Sequence, residues 1–159
     1  MPNYKYTSLT KIIQYNKSNL DHIEKINNKY MALLWHLTRL DAITTEEFIY
    51  KIESIARMGE IMICFYLDDK KDIRIVGSGT IILEPKLIHG GRSVGHIEDI
   101  VVHPSHRGKG IATGILKILN QFAREHGCYK TILDCKPELE QLYAKSGFEK
   151  KGIQMAMYF

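Results

Sequence analysis

One stretch of the chain, from residue 95 to residue 112, limits the possible folds more than any other. It begins with β-branched residues around an acidic pair, a composition typical of a strand, and it breaks at Pro104. The glycine-bearing sequence R-G-K-G follows at residues 107–110, and apolar residues then recur at helical spacing from residue 111 to residue 126. The sequence therefore predicts a strand, a glycine turn and a helix in succession, as in an α/β fold.

The glycine turn has the features of an anion-binding site. Glycines in front of a helix expose backbone N–H groups at the positive end of the helix dipole, where a phosphate or pyrophosphate binds well. Arg107 and Lys109 add positive charge. Gly108 and Gly110 would also suit a tight turn without a ligand, with both cations solvated. The acidic strand, the proline break and the basic flank favour the anion-binding interpretation.

Length and composition set further bounds. A chain of 159 residues with 45% hydrophobic and 25% charged residues suits one domain, spanning residues 1–159. The net charge of +4 suits an anionic small molecule but is too weak to indicate nucleic acid binding. Cys64, Cys128 and Cys135 lack C-x-x-C spacing, so neither disulfides nor a metal site is expected. Cys128 and Cys135 are expected to fill core volume beside a strand.

The N-terminal pentapeptide from Met1 to Lys5 has no apolar signal-peptide region. No segment of the chain reaches the length of a membrane span. We therefore expect a cytoplasmic protein without membrane contact.

The rest of the pattern predicts a mixed sheet with helices on its faces. Apolar residues recur at helical spacing after Ser18 or Asn19, which would cap a first helix. They do so again after Thr44 or Thr45, and Gly59 would end this second helix. Strands are expected at residues 61–67, 73–83, 129–135 and, closing the sheet, 148–158; a short helix is expected from residue 137 to residue 143, ended by Gly147. Residues 1–18 have no assigned role beyond a short strand expected at 7–13.

Several runs of residues resemble a known family. The loop R-G-K-G-I-A at 107–112 is similar to the [QR]-x-x-G-x-[GA] loop of the GNAT superfamily of N-acetyltransferases. The runs G-H-I-E-D-I (95–100), G-C-Y-K (127–130) and L-D-C (133–135) resemble the glucosamine 6-phosphate N-acetyltransferases within it. The resemblance covers residues 37 to 155. It implies the GNAT fold, a mixed, mostly antiparallel twisted sheet flanked by helices.

The implied activity is the acetyl-CoA-dependent N-acetylation of D-glucosamine 6-phosphate, in UDP-N-acetylglucosamine biosynthesis and without a metal. The implied cofactor-binding residues are Ile100, Val101, Val102, Arg107, Gly108, Lys109, Gly110, Ile111, Ala112 and Thr113. The implied aminosugar-binding residues are Thr38, Lys86, Leu87, Ile88, His89, Glu98, Asp99, Tyr129, Lys130 and Asp134. In the family, the equivalents of Tyr129 and Lys130 reach the neighbouring subunit's site, which implies a homodimer with shared active sites.

Acetyl transfer from a thioester to an amine makes specific demands on side chains. Glu98, Asp99 or Asp134 would hold the ammonium group, and one of them would relay its proton. Adjacent carboxylates on an undistorted strand point to opposite faces, so only one of the first two should face a given site. A bulge or splay after Asp99, which the resemblance implies, would free N–H groups to stabilise an oxyanion.

Tyr143 is the candidate for protonating the departing thiolate, because a phenol pKa of about 10 and a thiol pKa of about 8.5 lie close together. The alternative is that Tyr143 only packs its helix against the sheet. The catalytic candidates are therefore Tyr143, Glu98 and Asp134.

Cations available for a sugar phosphate are Lys86, Arg92 and Lys130. The chain departs from the family pattern at its end, Met155 to Phe159, which lacks a basic residue, and at Lys136-Pro137-Glu138, which lacks an asparagine. Two alternatives stay open: an acetyltransferase for another small amine or a peptide N-terminus, and a CoA-binding module without catalysis.

Overall fold

The computed structural model describes residues 2–159, so Met1 of the N-terminal pentapeptide lies outside the described residues. A five-stranded sheet has the order β1-β2-β3-β4-β5, in which only β4 and β5 run parallel. The strands are β1 (Lys5–Ser8), β2 (Gly59–Leu67), β3 (Ile73–Glu84), β4 (Val94–Val102) and β5 (Lys130–Ile132); the helices are α1 (Leu9–Tyr15), α2 (Leu20–Leu34), α3 (Thr45–Ala56), α4 (Ile111–Glu125) and α5 (Glu140–Lys145). The predicted mixed, mostly antiparallel sheet with flanking helices is confirmed.

Two apolar cores cover the two faces of the sheet. Helices α1, α2 and α3 pack with Ile61 and Ile63 of β2 in one core. Helix α4 packs with Met62 and Cys64 in the other. Alternate residues of one strand thus enter opposite cores, as the period of two along a strand requires. Because β2 is buried on both faces, it reads in the sequence as a continuous apolar run.

The predicted starts of α2 and α3 are confirmed, whereas the helix expected from residue 137 begins with a 3-10 turn at Pro137–Leu139 and becomes α-helical only at Glu140. The Asn19 side chain accepts from the N–H of His22 at 3.1 Å and caps α2. Thr44 and Glu47 form a reciprocal capping box at the start of α3. The expected role of Gly59 as the end of α3 is wrong, since this residue begins β2. A Cβ built there would lie 1.8 Å from the carbonyl oxygen of Ile81, so the close approach of β3 requires glycine.

The N-terminal segment is helical where a strand was expected. Only β1 is extended, and α1 covers most of residues 7–13. Ser8 accounts for the change, because its hydroxyl accepts from the N–H of Lys11 at 2.9 Å and caps the helix. The Ser8 hydroxyl also donates to the buried carboxylate of Glu60 at 2.8 Å. Residues 5–8 are thus tied to β2, which the polar composition alone did not indicate.

The C-terminal region differs most from expectation. Strand β5 has three residues rather than the seven expected at 129–135, and residues 148–158 contain no strand. Phe148 packs against the α4 core, whereas the residues after it are exposed to solvent; Ile153, Met155 and Phe159 are each more than 90% exposed. Gly147 ends α5 with φ +89°, as expected. Cys135 is exposed and therefore does not fill core volume, whereas Cys128 is half-buried.

Candidate active site

A bulge in β4 is the central irregularity of the sheet. Thr80 pairs with Glu98 and Ser78 pairs with Val101, so one residue of β3 faces two residues of β4, Asp99 and Ile100. Asp99 has φ +54°, a left-handed conformation that few residues other than glycine adopt. The bulge that the family resemblance implied at this point is thus present.

The bulge changes the face to which β4 residues point. Ile97 packs in the α4 core, whereas Val101, four residues later, packs in the α1–α3 core. In a regular strand residues four apart share a face, so the extra residue has reversed the alternation. The backbone N–H groups around Asp99 and Ile100 therefore lie outside the regular ladder, where they are available to a ligand.

Buried polar groups line the sheet beneath the bulge. The hydroxyl of Tyr30 on α2 lies 3.1 Å from that of Ser78, both buried. Burial raises the pKa of Tyr30 to about 12, so the phenol stays neutral. Desolvation by surrounding protein also raises the pKa of the Asp99 carboxyl above its usual value. Neither Tyr30 nor Ser78 was a predicted site residue, because a buried hydroxyl pair is apparent only once α2 lies on β3.

The glycine turn before α4 leaves backbone donors without side-chain caps. Gly108 has φ +73° and Gly110 has φ +76°, and a Cβ at either would meet no atom of the chain within 4 Å. The first bond that closes the helix runs from the N–H of Gly114 to the carbonyl of Gly110 at 2.9 Å. The N–H groups of the preceding helical residues therefore have no acceptor within the helix. Arg107 to Gly110 are all exposed, and the open cradle fits a pyrophosphate.

The expected cofactor-binding residues follow one another along the chain, from the second half of β4 through the glycine turn to the start of α4. Strand β5 pairs with β4 only at residues 94–96. From residue 97 to residue 102, the edge of β4 that faces β5 has no strand partner among the described residues. This edge leads directly to the glycine turn, so an elongated ligand can contact main-chain groups along it. Ala112 and Thr113 lie in the first turn of α4, partly or fully exposed, whereas Ile111 is buried in the α4 core.

An acidic group with a histidine at its centre lies beside the bulge. His96 Nε2 is 3.1 Å from Glu98 Oε1 and 3.7 Å from Asp134 Oδ2. The amide of Gln154 donates to Asp134 at 3.0 Å. Burial raises the pKa of the Glu98 carboxyl; His96 opposes the rise, and the neighbouring carboxylates add to it. His96 was missed in the sequence, although its position two residues before Glu98 puts both on one face of β4.

A basic group gathers around the Tyr129 ring. The His89 ring lies against it at an interplanar angle of 38°, with the two centroids 4.3 Å apart. The charged ends of Arg92 and Lys130 lie 5.6 and 5.5 Å from the Tyr129 centroid. Neither Arg92 nor Lys130 forms an ion pair with a carboxylate among residues 2–159. Lys86, in contrast, pairs with Glu84 at 2.8 Å. This group joins the loop before β4 to the start of β5, and it can bind an anion.

Tyr143 lies on α5 and is only 7% exposed. Its ring packs edge-on against Phe148, with centroids 6.2 Å apart, in the same core as Ile111 and Ile115 of α4. Burial raises the pKa of the Tyr143 phenol, and nearby Cys135 adds to the rise. The phenol is therefore fully protonated at neutral pH and can act as a proton donor.

Three expected aminosugar-binding residues stand apart from these groups in the single chain. Thr38 lies in the exposed turn after α2, where its N–H donates to the Leu34 carbonyl at 3.3 Å. Leu87 and Ile88 project into solvent, 101% and 62% exposed. Within one chain, neither apolar side chain lines a pocket with the acidic group.

Comparison with known proteins gives consistent matches. The model of the acetyltransferase (GNAT) family matches residues 25–148. The chain is 40% identical over 132 residues to probable glucosamine 6-phosphate N-acetyltransferase 2 of Oryza sativa subsp. japonica, covering 82% of this chain and 80% of that protein. It is 35% identical to glucosamine 6-phosphate N-acetyltransferase 1 of Dictyostelium discoideum, covering 86% of each. The crystal structure of glucosamine-6-phosphate N-acetyltransferase from Arabidopsis thaliana superimposes with a TM-score of 0.82 at 29% identity, covering 99% of both chains.

Proposed function

The chain belongs to the acetyltransferase (GNAT) family, and from that premise we propose that it acetylates the amine of D-glucosamine 6-phosphate with acetyl-CoA. The product, N-acetyl-D-glucosamine 6-phosphate, would feed UDP-N-acetylglucosamine biosynthesis. One observation carries the proposal: an uncapped glycine turn continues directly from a bulged acidic strand. This order of elements supports an anion-binding cradle that leads along β4 to the carboxylates that an amine needs.

Acetyl-CoA would bind along the unpaired edge of β4, with its pyrophosphate at the turn of residues 107–110. The exposed N–H groups of the turn and of the first turn of α4 suit the pyrophosphate oxygens. The side chains of Arg107 and Lys109 now donate to the carbonyls of Val102 and Ser105, at 3.2 Å each. Both side chains are exposed and are within reach of a phosphate that replaces these carbonyls.

In the reaction, the amine nitrogen attacks the thioester carbonyl carbon, so that the C–N bond forms and the C–S bond breaks. The bound ammonium loses a proton to a carboxylate, for which Glu98 and Asp134 are the candidates. Backbone N–H groups freed at the Asp99 bulge stabilise the oxyanion. Tyr143 donates a proton to the departing thiolate, the acetylated nitrogen releases its second proton to solvent, and the Tyr143 phenolate regains a proton from solvent.

The basic group around Tyr129 would bind the sugar phosphate. Within the described part of the chain, residues 2–159, Arg92 and Lys130 have no carboxylate partner, so an incoming phosphate does not have to displace one. This assignment gives the phosphate a cationic partner even though the chain ends in Tyr158-Phe159. Lys86, paired with Glu84, is a weaker candidate because that ion pair must open first.

We also propose that two copies of the chain form a homodimer with shared active sites. Apolar side chains alternate at Ile153, Met155 and Met157 in the uncovered C-terminal segment, a period that suits a strand added to another chain. The exposed Leu87 and Ile88 likewise suit burial against a second copy. The three cysteines are free thiols, which suits a reducing compartment such as the cytoplasm.

A thiol-release assay with acetyl-CoA tests the substrate directly. Glucosamine 6-phosphate should be turned over with a kcat/KM at least about a hundredfold above that of glucosamine, since charge-assisted contacts to phosphate are each worth about 1.5–3 kcal/mol. A preference for a non-phosphorylated amine or a peptide N-terminus would instead favour another acetyltransferase. Tight acetyl-CoA binding without turnover of any amine would indicate a CoA-binding module.

A further inference from the structure

We propose that His96, Glu98 and Asp134 form a binding site for a divalent transition metal ion, above all Zn²⁺, and that the bound ion inhibits the enzyme. One ligand atom from each side chain lies within 4.8 Å of the other two. Tetrahedral zinc with ligands at 2.0–2.2 Å holds neighbouring ligand atoms about 3.3–3.5 Å apart. The His96–Glu98 and His96–Asp134 distances, 3.1 and 3.7 Å, bracket that range.

The environment of the histidine supports metal binding. Its other ring nitrogen, Nδ1, lies 3.5 Å from Glu84 Oε1. A carboxylate behind a metal-bound imidazole selects the tautomer that presents its lone pair to the ion and raises its basicity. Glu84 is held in turn by Lys86 at 2.8 Å. The imidazole favours Zn²⁺, Ni²⁺ or Co²⁺ over Mg²⁺ and Ca²⁺, which prefer oxygen ligands alone.

The backbone preorganises two of the three ligands. His96 and Glu98 are two apart on β4 and share one face, ahead of the bulge. His96 also pairs with Ile132 of β5, and Asp134 follows that strand by two residues. The parallel β4–β5 pairing therefore delivers the third ligand. No spacing motif in the sequence indicates this site, because its ligands come from two separate strands.

The inhibition, unlike the metal site itself, rests on the proposed function. Glu98 and Asp134 are the carboxylates assigned to the amine of the aminosugar. A doubly charged ion on both of them neutralises the charge that attracts the ammonium and occupies its position. Zinc should therefore compete with the aminosugar, while acetyl-CoA binding at the glycine turn is unaffected.

Metal binding is measured first on the chelator-treated protein without substrates. Titration calorimetry with ZnCl₂ and the visible absorption of added CoCl₂ should each report one ion per chain. The replacement His96→Gln should weaken binding at least about tenfold, and Glu84→Gln should do so about tenfold to a hundredfold through loss of the supporting carboxylate. The control His22→Gln, at an exposed site on α2, should bind as the wild type does.

A second set of variants separates this site from the neighbouring thiol. Cys135 is exposed beside Asp134 and could bind zinc by itself. Loss of binding in Cys135→Ser, or a sulfur-to-cobalt charge-transfer band, would overturn the proposal, as would unchanged affinity in His96→Gln. If His96→Gln fails to fold, as judged by circular dichroism, Glu98→Gln and Asp134→Asn provide the same test. Absence of any zinc binding in an active enzyme contradicts the metal site alone.

Competition is then tested with substrate. Zinc should raise the KM for glucosamine 6-phosphate and leave the KM for acetyl-CoA unchanged. Glucosamine 6-phosphate should weaken zinc binding more than glucose 6-phosphate does, because only the former carries the amine. Equal effects of the two sugars would overturn the competition. If the protein binds zinc but acetylates no amine, the proposed function fails while the metal site stands.

Discussion

Asp99 combines an unusual backbone conformation with a desolvated carboxyl group. Its φ of +54° is one that asparagine and aspartate tolerate better than most other residues. The conformation turns β4 and directs the strand's main chain toward the proposed thioester position. Folding would therefore be more stable without the left-handed backbone and the desolvated charge of Asp99, whereas the proposed reaction needs both.

The substitution Asp99→Asn should raise thermal stability at neutral pH. Because the folded pKa is raised, the wild type loses stability as the pH rises from the ordinary carboxyl pKa, about 3.9, through the raised value. The amide has no such loss, so the Tm advantage of the variant should grow with pH and then level off. Thermal unfolding between pH 4 and pH 8 measures this, with Asp69→Asn, at an exposed site in the turn between β2 and β3, as the control. A pH-independent difference would contradict the prediction.

Removal of the Tyr143 hydroxyl should affect the reaction and not the fold. In Tyr143→Phe, kcat should fall about a hundredfold with little change in either KM, since general acid catalysis contributes about 10²–10⁴. Wild-type activity should persist to alkaline pH because burial raises the phenol pKa. Steady-state kinetics across pH tests this, with the exposed Tyr50→Phe as the matched control. A rate within a factor of about two of wild type would leave Tyr143 a packing residue.

The double substitution Arg92→Ala and Lys130→Ala should impair recognition of the phosphate alone. We expect the KM for glucosamine 6-phosphate to rise at least about tenfold, since a charged hydrogen bond is worth about 1.5–3 kcal/mol. The KM for unphosphorylated glucosamine should not change. Kinetics with both sugars test the assignment, and Lys117→Ala on the exposed face of α4 is the control. An equal rise for both sugars would place the phosphate elsewhere.

At the scale of elements, the turn before α4 is specialised for a ligand because it lacks any cap of its own. Helices α2 and α3 begin at side chains that bond their first N–H groups, whereas α4 begins at a bare glycine. Open N–H groups are costly when no acceptor reaches them, and the turn in front of these, residues 107–110, is exposed and leaves room for an acceptor. An anion bound at this turn would therefore stabilise the start of α4.

The substitution Gly110→Ala should weaken acetyl-CoA binding beyond its effect on stability. Alanine at φ +76° costs about 1–2 kcal/mol in the folded chain, and its methyl group enters the cradle. Gly127→Ala provides a matched control, since φ is +74° there and the Cβ also meets no atom within 4 Å. The Tm should fall by a similar amount in both variants. Calorimetry should show weaker acetyl-CoA binding only in Gly110→Ala. Equal affinities would contradict the cradle.

Local chemistry explains which elements the sequence predicted. Asn19 and Thr44 act within a few residues of the chain, so the starts of α2 and α3 could be inferred. The turn between β2 and β3, where Asp68 accepts from the N–H of Asp72, could be inferred for the same reason. The reversal of faces along β4 could not, because it depends on which residues of β3 lie opposite the bulge. His96 was missed for a similar reason: its partners Asp134 and Glu84 become neighbours only through pairing in the sheet.

At the scale of the whole molecule, the C-terminal expectation failed because a strand needs a neighbour. Residues 148–158 have an alternating pattern that favours extended structure. Within the chain, however, they do not pair with any strand of the sheet. The expected dimer would supply one. If the dimer forms, the pattern in one chain predicts a conformation that only the assembly adopts.

The oligomeric state should depend on this segment. Sedimentation should give twice the 18.3 kDa chain mass for the wild type. The double substitution Met155→Lys and Met157→Lys should shift the chain toward monomer, because it places charge within an apolar interface. Tyr15→Lys, also at an exposed apolar residue, should leave the mass unchanged. A wild-type monomer, or a dimer insensitive to the Met substitutions, would contradict the assignment.

The edge of β4 that β5 leaves unpaired from residue 97 to residue 102 has a consequence for sequence drift. The hydrogen-bonding groups along this edge are main-chain N–H and C=O groups. Every residue type except proline supplies both. Relatives should therefore be free to exchange side chains along this edge, but insertions or deletions there would shift every donor out of place. Selection should preserve the spacing between the bulge and the glycine turn more strictly than the residues between them.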